Sequence, residues 1–514
     1  MKKIAYIISI LFLMGLGSCY KDLGNYTYGD KPGIGIDSVL AEYDKYVVID
    51  TLCIIPRVEG MDQIVRYEWS VYNQALAVSD EIVLDSVKDL RYPVALPQGN
   101  YTLLFRVTDE TGYTETLESF LKVKSAYSEG WYVLKELEGG TELDLYAPGL
   151  APGYDLLDKL YGRRLEGKPV GLSIFPTHNY HDTIDNQVSN DFVMFPISEK
   201  ESPMLRVADM YWRYDFDDML YDGRQDNETP LKFVCGGKAF AGMVTDKHVR
   251  CNNNMVAGGA GKWGAPALVP SDEIRPSKYV AYSTTYSYVT MLYDNLNGAF
   301  LNMNNFGSSA DRYKSTYKDK VSVKPFDLPC QMIYMKQTSK SNVAYAVLEH
   351  KENRERYVFT LNTEESKNQN PIVAIDSLDA GLKINEAFEF TLNGNLPYLY
   401  YSIGNECYLY DISLQREEKV DLAFANSLTA NDGSEEITLL EHIYWNDTDP
   451  WEYFVVATYA NGRYKLYLYP IHGGRPDVTG NVVMYEGEGK VAAIHYVMPE
   501  MKLGLVNTTY YPYN

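Results

Sequence analysis

Cysteine is scarce in this sequence of 514 residues, and its spacing argues against two common classes of site. Besides Cys19, which is treated below, the chain contains Cys53, Cys235, Cys251, Cys330 and Cys407. Their number is odd and no two of them form a CxxC pair, so neither a disulfide framework nor a zinc site is expected. Buried free thiols are the simpler interpretation, although Cys235 and Cys251 could pair across a hairpin.

Long apolar runs are absent after the first twenty residues. The chain begins Met1-Lys2-Lys3 and is then apolar from Ile4 to Gly17. That run is shorter than the about 20 residues that a membrane-spanning helix needs. A basic start followed by a short apolar run is typical of a secretory signal, so the body of the chain is expected outside the cytoplasm.

The residues that end this run predict how the protein is attached to a membrane. Leu16-Gly17-Ser18-Cys19 resembles the bacterial lipobox, in which the cysteine is acylated and becomes the mature N-terminus. Two or more acyl chains anchor a protein far more firmly than one. We therefore predict a signal peptide over residues 1–18, lipidation of Cys19 and a polar, Gly-rich tether over residues 19–35. An ordinary signal peptide with a chance cysteine is the alternative.

Basic residues are outnumbered: 47 Lys and Arg stand against 69 Asp and Glu, a formal net charge of −22. Such a surface argues against binding to nucleic acid or adsorption to anionic lipid. Neutral or cationic ligands are expected to suit it better.

Tyrosine is abundant, with 46 residues against 17 Phe and 6 Trp, and helical patterns are few. Because tyrosine suits strands, we predict an all-β fold. Residues 36–127 alternate short apolar runs with turns, as in a small sandwich. The segment Tyr67-Glu68-Trp69 and the later Val107-Thr108-Asp109 with Gly112 resemble a PKD-type immunoglobulin-like domain, in which such a tryptophan packs in the core.

From residue 130 onward a hairpin pattern repeats. Tyr345, Tyr400 and Val455 occupy equivalent positions at intervals of 55 residues, so residues 130–514 hold about seven units. Hairpin repeats of this period are typical of a β-propeller. Asn461-Gly462 predicts a type I′ turn, and residues 154–165 predict a short helix. We expect residues 502–511 to form a strand beside Trp131 that closes the ring.

Several short motifs permit a chemical interpretation, but each has a simpler one. Residues 259–264 match G-x-G-x-x-G by letter, yet Ala265-Pro266 follows in place of a helix, so nucleotide binding is not expected. His178, His181 and Asp182 could share a metal, and the acidic run 214–228 could hold calcium, but polar loops explain both. No hydrolase motif is found. We predict no metal site and no cofactor.

Tryptophan supplies the candidate ligand contacts. Four of the tryptophans lie in polar segments rich in Gly or Asp, where an exposed ring could stack on a sugar or a peptide: Trp212, Trp263, Trp445 and Trp451. The alternative is that these rings fill gaps between blades. Binding through them would need no metal.

Taken together, the lipobox, the tether, the "YEWSV" sandwich and the "GWYVLKE" opening of the repeat resemble the PKD-like surface lipoproteins of Bacteroidetes. The resemblance implies an outer-membrane lipoprotein, facing the cell exterior, that binds or presents a glycan or oligopeptide. Its partners would be a SusC-like transporter and a SusD-like lipoprotein. A propeller hydrolase or lyase acting on the same polymers, and a purely structural subunit of the uptake complex, are the alternative functions.

Overall fold

The computed structural model describes residues 33–498, except for 48, 61–63, 75–79, 183–186, 236–239, 254–260, 283–289, 304–307, 339–341, 365–366, 423–434 and 446–450. Cys19 and the segment 502–511 lie outside the described residues. The chain divides into two compact units, residues 1–124 and 125–514. Among the described residues, no helix is long and apolar enough to cross a bilayer.

The described part of the first unit contains nine strands: β1 (Gly35–Asp37), β2 (Glu42–Tyr46), β3 (Thr51–Ile54), β4 (Arg57–Glu59), β5 (Ile64–Asn73), β6 (Ile82–Asp85), β7 (Leu90–Pro93), β8 (Gly99–Asp109) and β9 (Thr114–Lys124). A five-stranded sheet has the order β2-β9-β8-β5-β6, and two-stranded sheets pair β1 with β4 and β3 with β7. The predicted sandwich is therefore present.

The residues that carried the PKD resemblance take the expected structural places. The Trp69 side chain is fully buried, and its ring stacks on that of Phe105 with 4.2 Å between centroids. Asp109 Oδ1 accepts hydrogen bonds from the backbone N–H groups of Thr111 and Tyr113, which shapes the turn between β8 and β9. Gly112 has a φ of +83° in this turn, a conformation that glycine adopts without strain.

Within its described residues, the second unit contains one short α-helix, α1 (Leu156–Tyr161), and two 3₁₀ turns, Asp217–Met219 and Lys383–Glu386. Its first strands are β10 (Gly130–Leu137), β11 (Gly140–Tyr146), β12 (Leu165–Glu166), β13 (Pro169–Asp182), β14 (Gln187–Ser198), β15 (Met204–Arg206), β16 (Tyr211–Tyr214), β17 (Pro230–Cys235), β18 (Phe240–Thr245), β19 (Val249–Asn253), β20 (Ala281–Tyr282), β21 (Thr290–Asp294), β22 (Ala299–Met303) and β23 (Ala310–Arg312). The helix lies inside the predicted range 154–165.

The remaining strands are β24 (Cys330–Gln337), β25 (Val343–His350), β26 (Arg356–Asn362), β27 (Ile372–Ser377), β28 (Phe390–Leu392), β29 (Tyr398–Ile403), β30 (Glu406–Asp411), β31 (Arg416–Val420), β32 (Glu436–Trp445), β33 (Trp451–Ala460), β34 (Arg463–His472), β35 (Arg475–Pro476), β36 (Val483–Glu488) and β37 (Lys490–Val497). Nearly all of them pair antiparallel with a strand adjacent in sequence, as hairpin repeats require.

These strands form seven sheets within the described residues, which we call blades 1 to 7. Blade 1 has the strand order β37-β10-β11-β12; blades 2 to 6 are β13–β16, β17–β19, β20–β23, β24–β27 and β28–β31; blade 7 contains β32–β36. The periodicity prediction is confirmed, because Tyr345, Tyr400 and Val455 all lie on the second strand of their blades. Asn461 and Gly462 both have positive φ between β33 and β34, as a type I′ turn demands.

The blades are held together by seven buried apolar cores, each shared by two successive blades. Between blades 2 and 3, for example, the rings of Phe195 and Phe233 stack with 4.2 Å between centroids. The core between blades 7 and 1 joins Leu466 to Val133. Seven sheets that share seven cores form a closed ring, so this unit is a seven-bladed propeller.

The ring closes through a different strand from the one predicted. β10 pairs with β11 along one edge and with β37 along the other, where Trp131 lies opposite Tyr496. A strand has only two edges for hydrogen bonding, and β11 and β37 occupy both edges of β10; residues 502–511 themselves lie outside the described residues. As expected, a strand from late in the chain completes blade 1. That strand is Lys490–Val497, which precedes the predicted segment.

The possible Cys235–Cys251 disulfide is also ruled out. Cys251 carries a free thiol. Cys235 lies opposite Ala241 and Cys251 opposite Gly242, on strands that flank β18 from its two sides. Two strand spacings separate their backbones by about 9–10 Å, which exceeds the Cα separation that a disulfide spans.

Candidate ligand-binding channel

A cavity of about 170 Å³ lies at the centre of the propeller. Residues of β37, β13, β17, β24 and β32, together with the segment just before β20, line it. These are the inner segments of six of the seven blades, so the cavity is part of the axial channel. Leu439, Glu441 and Ile443 all face it, as the two-residue period of a strand requires.

Three lysine side chains enter the channel from consecutive blades. Lys232 lies on β17, Lys278 precedes β20 and Lys336 lies on β24. Lys336 forms an ion pair with Glu441 of β32 and donates a second hydrogen bond to the backbone oxygen of His442, at 3.3 Å. Within the described part of the chain, neither Lys232 nor Lys278 forms an ion pair. The channel therefore carries more positive than negative charge, in a chain whose net charge is −22.

Burial lowers the pKa values of two of these lysines, Lys232 and Lys278, and raises that of the nearby Glu389. Desolvation lowers the pKa of Lys232 to about 8; the positive charges of Lys336 and Lys278 act in the same direction and Glu441 opposes them. Desolvation also lowers the pKa of Lys278, against the attraction of Glu389. Glu389 directly precedes β28 of blade 6, and burial raises its pKa to about 7. At neutral pH Lys232 is therefore mostly charged and Glu389 is only partly ionised.

The remaining polar groups of the channel are neutral. His495 Nε2 lies 2.7 Å from the backbone oxygen of Leu172 and donates its proton to it. Burial, assisted by the charges of Lys232 and Lys336, lowers the pKa of His495 to about 3. The Tyr334 hydroxyl accepts a hydrogen bond from the Leu392 backbone N–H at 2.9 Å, and burial raises its pKa.

The structure does not bring the four candidate tryptophans together, and one of them is not exposed at all. Trp263 is fully buried between blades 2 and 3, where its ring lies 5.4 Å from that of Phe233 and 6.1 Å from His178. The prediction of a displayed Trp263 ring is therefore wrong. The alternative, a ring that fills the gap between two blades, is correct there because the gap is apolar and closed to solvent.

Trp451 is half-buried and also packs at a blade boundary. Its ring contacts Trp131 of blade 1 at 5.8 Å and Tyr496 at 5.4 Å between centroids. Trp445 lies opposite Trp451 in the β32–β33 register, but its side chain is outside the described residues.

Trp212 lies on β16, the last strand of blade 2, and keeps part of its ring exposed. The Arg163 guanidinium covers the ring at 4.6 Å, and the indole N–H donates to Asp215 Oδ1 at 2.9 Å. Trp212 remains a candidate contact, far along the sheet from the inner strand β13.

The residues considered for metal binding have other roles. His178, His181 and Asp182 lie on strand β13 and not in the expected loop; His178 is buried, and Asp182 pairs with Arg213 at 2.9 Å. In the acidic run, Asp217 pairs with Arg224 and Asp222 with Arg250, each at 2.6 Å. Among the described residues, no group of three His, Cys, Asp or Glu side chains could hold a metal ion.

The G-x-G-x-x-G letters do not form a phosphate site in the described part. Residues 254–260 are outside it, and the described residues 261–280 contain no helix. The backbone N–H of Trp263 donates to the Met219 backbone oxygen at 2.7 Å instead. No helix N-terminus follows that could receive a pyrophosphate.

Sequence reasoning missed the three channel lysines. They are separated by roughly one blade repeat each, so a lysine that recurs near the first strand of successive repeats was the available signal. It carries no local motif, because the three side chains meet only after the ring has closed.

The family model described as the PKD-like family matches residues 19–169, which include the sandwich and the first strands of the propeller. No curated protein matches the chain. Two similar solved structures come from Bacteroides. One is a quinoprotein alcohol dehydrogenase-like protein of Bacteroides thetaiotaomicron (10% identity, 89% of this chain and 97% of that one, TM-score 0.41). The other is a DUF4784 family protein of Bacteroides caccae (9% identity, 76% and 95%, TM-score 0.32).

A third is the WD40 domain of SCAP from fission yeast, at 8% identity over 63% of this chain and 74% of that one, with a TM-score of 0.30. At such scores these similarities carry no functional argument. The seven-bladed fold rests on the strand pairings of this chain, and over residues 19–169 the sequence matches the PKD-like family.

Proposed function

We propose that this protein is a non-catalytic, lipid-anchored capture protein of the bacterial outer membrane, which holds a nutrient ligand in its propeller for a SusC/SusD-type uptake complex. The anchor would be Cys19, the tether residues 19–35, and the sandwich a spacer. The lipobox and the match of residues 19–169 to the PKD-like family support this assignment.

One observation carries the binding function: the central cavity combines apolar walls with a few converging polar groups. Leu172, Leu231 and Ile443 contribute apolar surface, and the lysines with Glu441 contribute charge. A concave, mostly apolar site with a small number of placed polar groups is what small-molecule binding requires. Loops on a rigid ring add further ligand contacts at low cost in ordering.

The anchor and the orientation can be tested separately from binding. Cys19→Ala should move the protein from the membrane fraction to the soluble fraction while its melting temperature is retained. Protease treatment of intact cells should remove the wild-type protein if it faces the exterior. A Cys19→Ala protein that stays in the membrane, with no protein partner co-purifying, would contradict the anchor.

One observation favours a hydrolase as a second candidate. Glu389 has a pKa raised to about 7 by burial, and a negative charge on Glu441 contributes to that rise. Glu441 itself is paired with Lys336. A carboxyl group that is partly protonated at neutral pH, influenced by the charge of a second carboxylate, is an arrangement that acid–base catalysis uses.

Turnover separates the two candidates. Incubation of the full chain with mixed oligosaccharides or peptides should leave them intact if the protein only captures its ligand. Cleavage that disappears in Glu389→Gln, while ligand binding survives, would replace the capture function with hydrolysis.

A further inference from the structure

We propose that the channel binds a small organic anion, with one carboxylate or sulfate group on a body of about one six-membered ring, between Lys232 and Lys278. This inference rests on the proposed capture function and specifies its ligand class. It also reverses the expectation from net charge, which favours neutral or cationic ligands.

The charge of the channel is the first support. Lys336 already has a carboxylate partner in Glu441, whereas Lys232 and Lys278 have no ion pair among the described residues. A desolvated ammonium group without an ion-pair partner is unfavourable, and Lys232 is also repelled by Lys278 and Lys336; Lys278 has only the ring of Tyr279 beneath it, at 5.5 Å. A bound anion would relieve this repulsion and accept hydrogen bonds from the two unpaired ammonium groups.

The charged and titratable groups on the blades around Lys232 and Lys278 permit an anion to bind there. The acidic groups that face Lys232 and Lys278 are Glu441, which Lys336 neutralises, and Glu389, whose pKa is about 7. On blade 1 His495 is neutral because burial lowers its pKa to about 3. The lining residues of blade 2 are the uncharged Val170, Gly171 and Leu172. Two ammonium groups therefore remain available to the ligand.

The size of the cavity limits the body of the ligand. Its volume is about 170 Å³, and a cavity of roughly 150 Å³ is known to hold one benzene molecule. A single six-membered ring therefore fits in the cavity. Leu231, Val280 and Ile443 offer apolar surface to the faces of such a ring.

The test is titration calorimetry on the full chain with matched pairs of probes. D-galacturonate and D-galactose share a ring and differ in the carboxylate, as do benzoate and benzyl alcohol; sodium sulfate provides the oxyanion without a ring. At least one acid should bind about tenfold or more tightly than its neutral partner, because a charge-assisted hydrogen bond is lost in the latter. The sugar and aromatic pairs distinguish the two sources of the acid.

Variants locate the site. Lys232→Met and Lys278→Met should each weaken binding of the acid about tenfold or more, while Lys247→Met, an exposed lysine of the same blade 3, should leave it unchanged. Trp212→Ala should also have no effect if the channel is the site. Affinity should fall as pH rises above about 8, where Lys232 loses its proton.

The outcomes separate this inference from the proposed function. If the neutral partners bind as tightly as the acids and the lysine variants have no effect, the channel is not specific for anions, but the proposed capture function is retained. If sulfate binds as tightly as the acids, the inference that the ligand carries a body of about one six-membered ring is wrong. Failure of every probe, charged and neutral, would overturn both the anion inference and capture in the channel.

Discussion

Tyr464 of blade 7 donates its hydroxyl proton to the carboxylate of Asp144 in blade 1, with 2.6 Å between the oxygens, across 320 residues of sequence. The Tyr146 hydroxyl lies 2.6 Å from that of Tyr464, and Lys135 Nζ lies 2.8 Å from Asp144. All four side chains are buried. This network joins the two blades at the point where the ring closes, so it adds polar specificity to the apolar core there.

Tyr464→Phe should destabilise the propeller by about 1–3 kcal/mol, because a buried charged acceptor loses a hydrogen bond while the ring volume is kept. Thermal or urea unfolding measures the change. Tyr317→Phe is the matched control: Tyr317 is 94% exposed, so its hydroxyl should contribute less than about 0.5 kcal/mol. If the two variants change the free energy of unfolding equally, this network does not stabilise ring closure.

Truncation tests which strand closes the ring. A chain that ends at residue 489 loses β37 and leaves an edge of β10 unpaired, whereas a chain that ends at residue 498 keeps this pairing. We expect the shorter chain to melt at a lower temperature and to aggregate, because an exposed strand edge recruits other chains. If the two truncated chains have the same melting temperature, β37 does not stabilise the ring.

Gly298 tests the packing of the turn between β21 and β22 of blade 4 against the segment that leads into blade 5. A Cβ atom at this position would lie 1.8 Å from the backbone oxygen of Leu328, and its φ is +58°. Gly404 has the same φ of +58° with nothing within 4 Å of its Cβ position. Gly298→Ala should therefore cost about 3 kcal/mol or more in unfolding free energy, and Gly404→Ala about 1 kcal/mol. If the two variants lose a similar free energy of unfolding, backbone strain alone determines the cost and the contact with Leu328 contributes nothing.

Lys232→Met should increase stability at pH 7, by about 1 kcal/mol. The pKa of Lys232 is lowered from 10.5 to about 8 in the folded protein, so its charge opposes folding below pH 8. Between pH 8 and 10.5 the unfolded chain binds more protons than the folded chain, and wild-type stability rises with pH. The advantage of the variant should shrink over that range, in unfolding experiments at several pH values.

Lys247→Met is the control for this prediction and should not increase stability at pH 7, because this side chain is exposed. A Lys232→Met variant that is less stable than wild type at pH 7 would show that the ammonium group stabilises the fold. Stability gained together with anion binding lost would identify Lys232 as a residue whose charge serves the ligand and not the fold.

His178→Phe should make the protein more resistant to acid. Burial beside Trp263 lowers the pKa of His178 from 6.5 to about 4, so the folded state keeps it neutral. As pH falls from 6.5 to about 4, the unfolded chain takes up a proton that the folded chain refuses, and stability is lost. The variant should lose about 2–3 kcal/mol less than wild type over this range.

The exposed His472 gives the control for the acid experiment. His472→Phe should follow the wild-type curve, since this side chain is exposed and folding does not remove it from water. An identical acid response in all three proteins would place the loss of stability on carboxyl groups elsewhere.

The sequence by itself determined the local elements and the order in which they occur. Period-two alternation gave the strands, Asn461-Gly462 gave a hairpin, and the interval of 55 residues from Tyr345 to Tyr400 gave the propeller. These signals are local, because side-chain alternation and positive φ depend only on neighbouring residues. Trp69 was likewise placed in the sandwich core by the residues around it.

Only the tertiary structure decided which distant groups meet. It assigned ring closure to residues 490–497, because pairing depends on which edge of β10 is free once the ring has formed. It buried Trp263, whose polar neighbours in sequence indicated exposure, since the adjoining blade supplies the apolar surface. It also gathered Lys232, Lys278 and Lys336 around one axis, which makes the channel of an acidic protein positively charged. The position of each charge depends on where the strands lie in the fold, whereas the composition gives only the net charge.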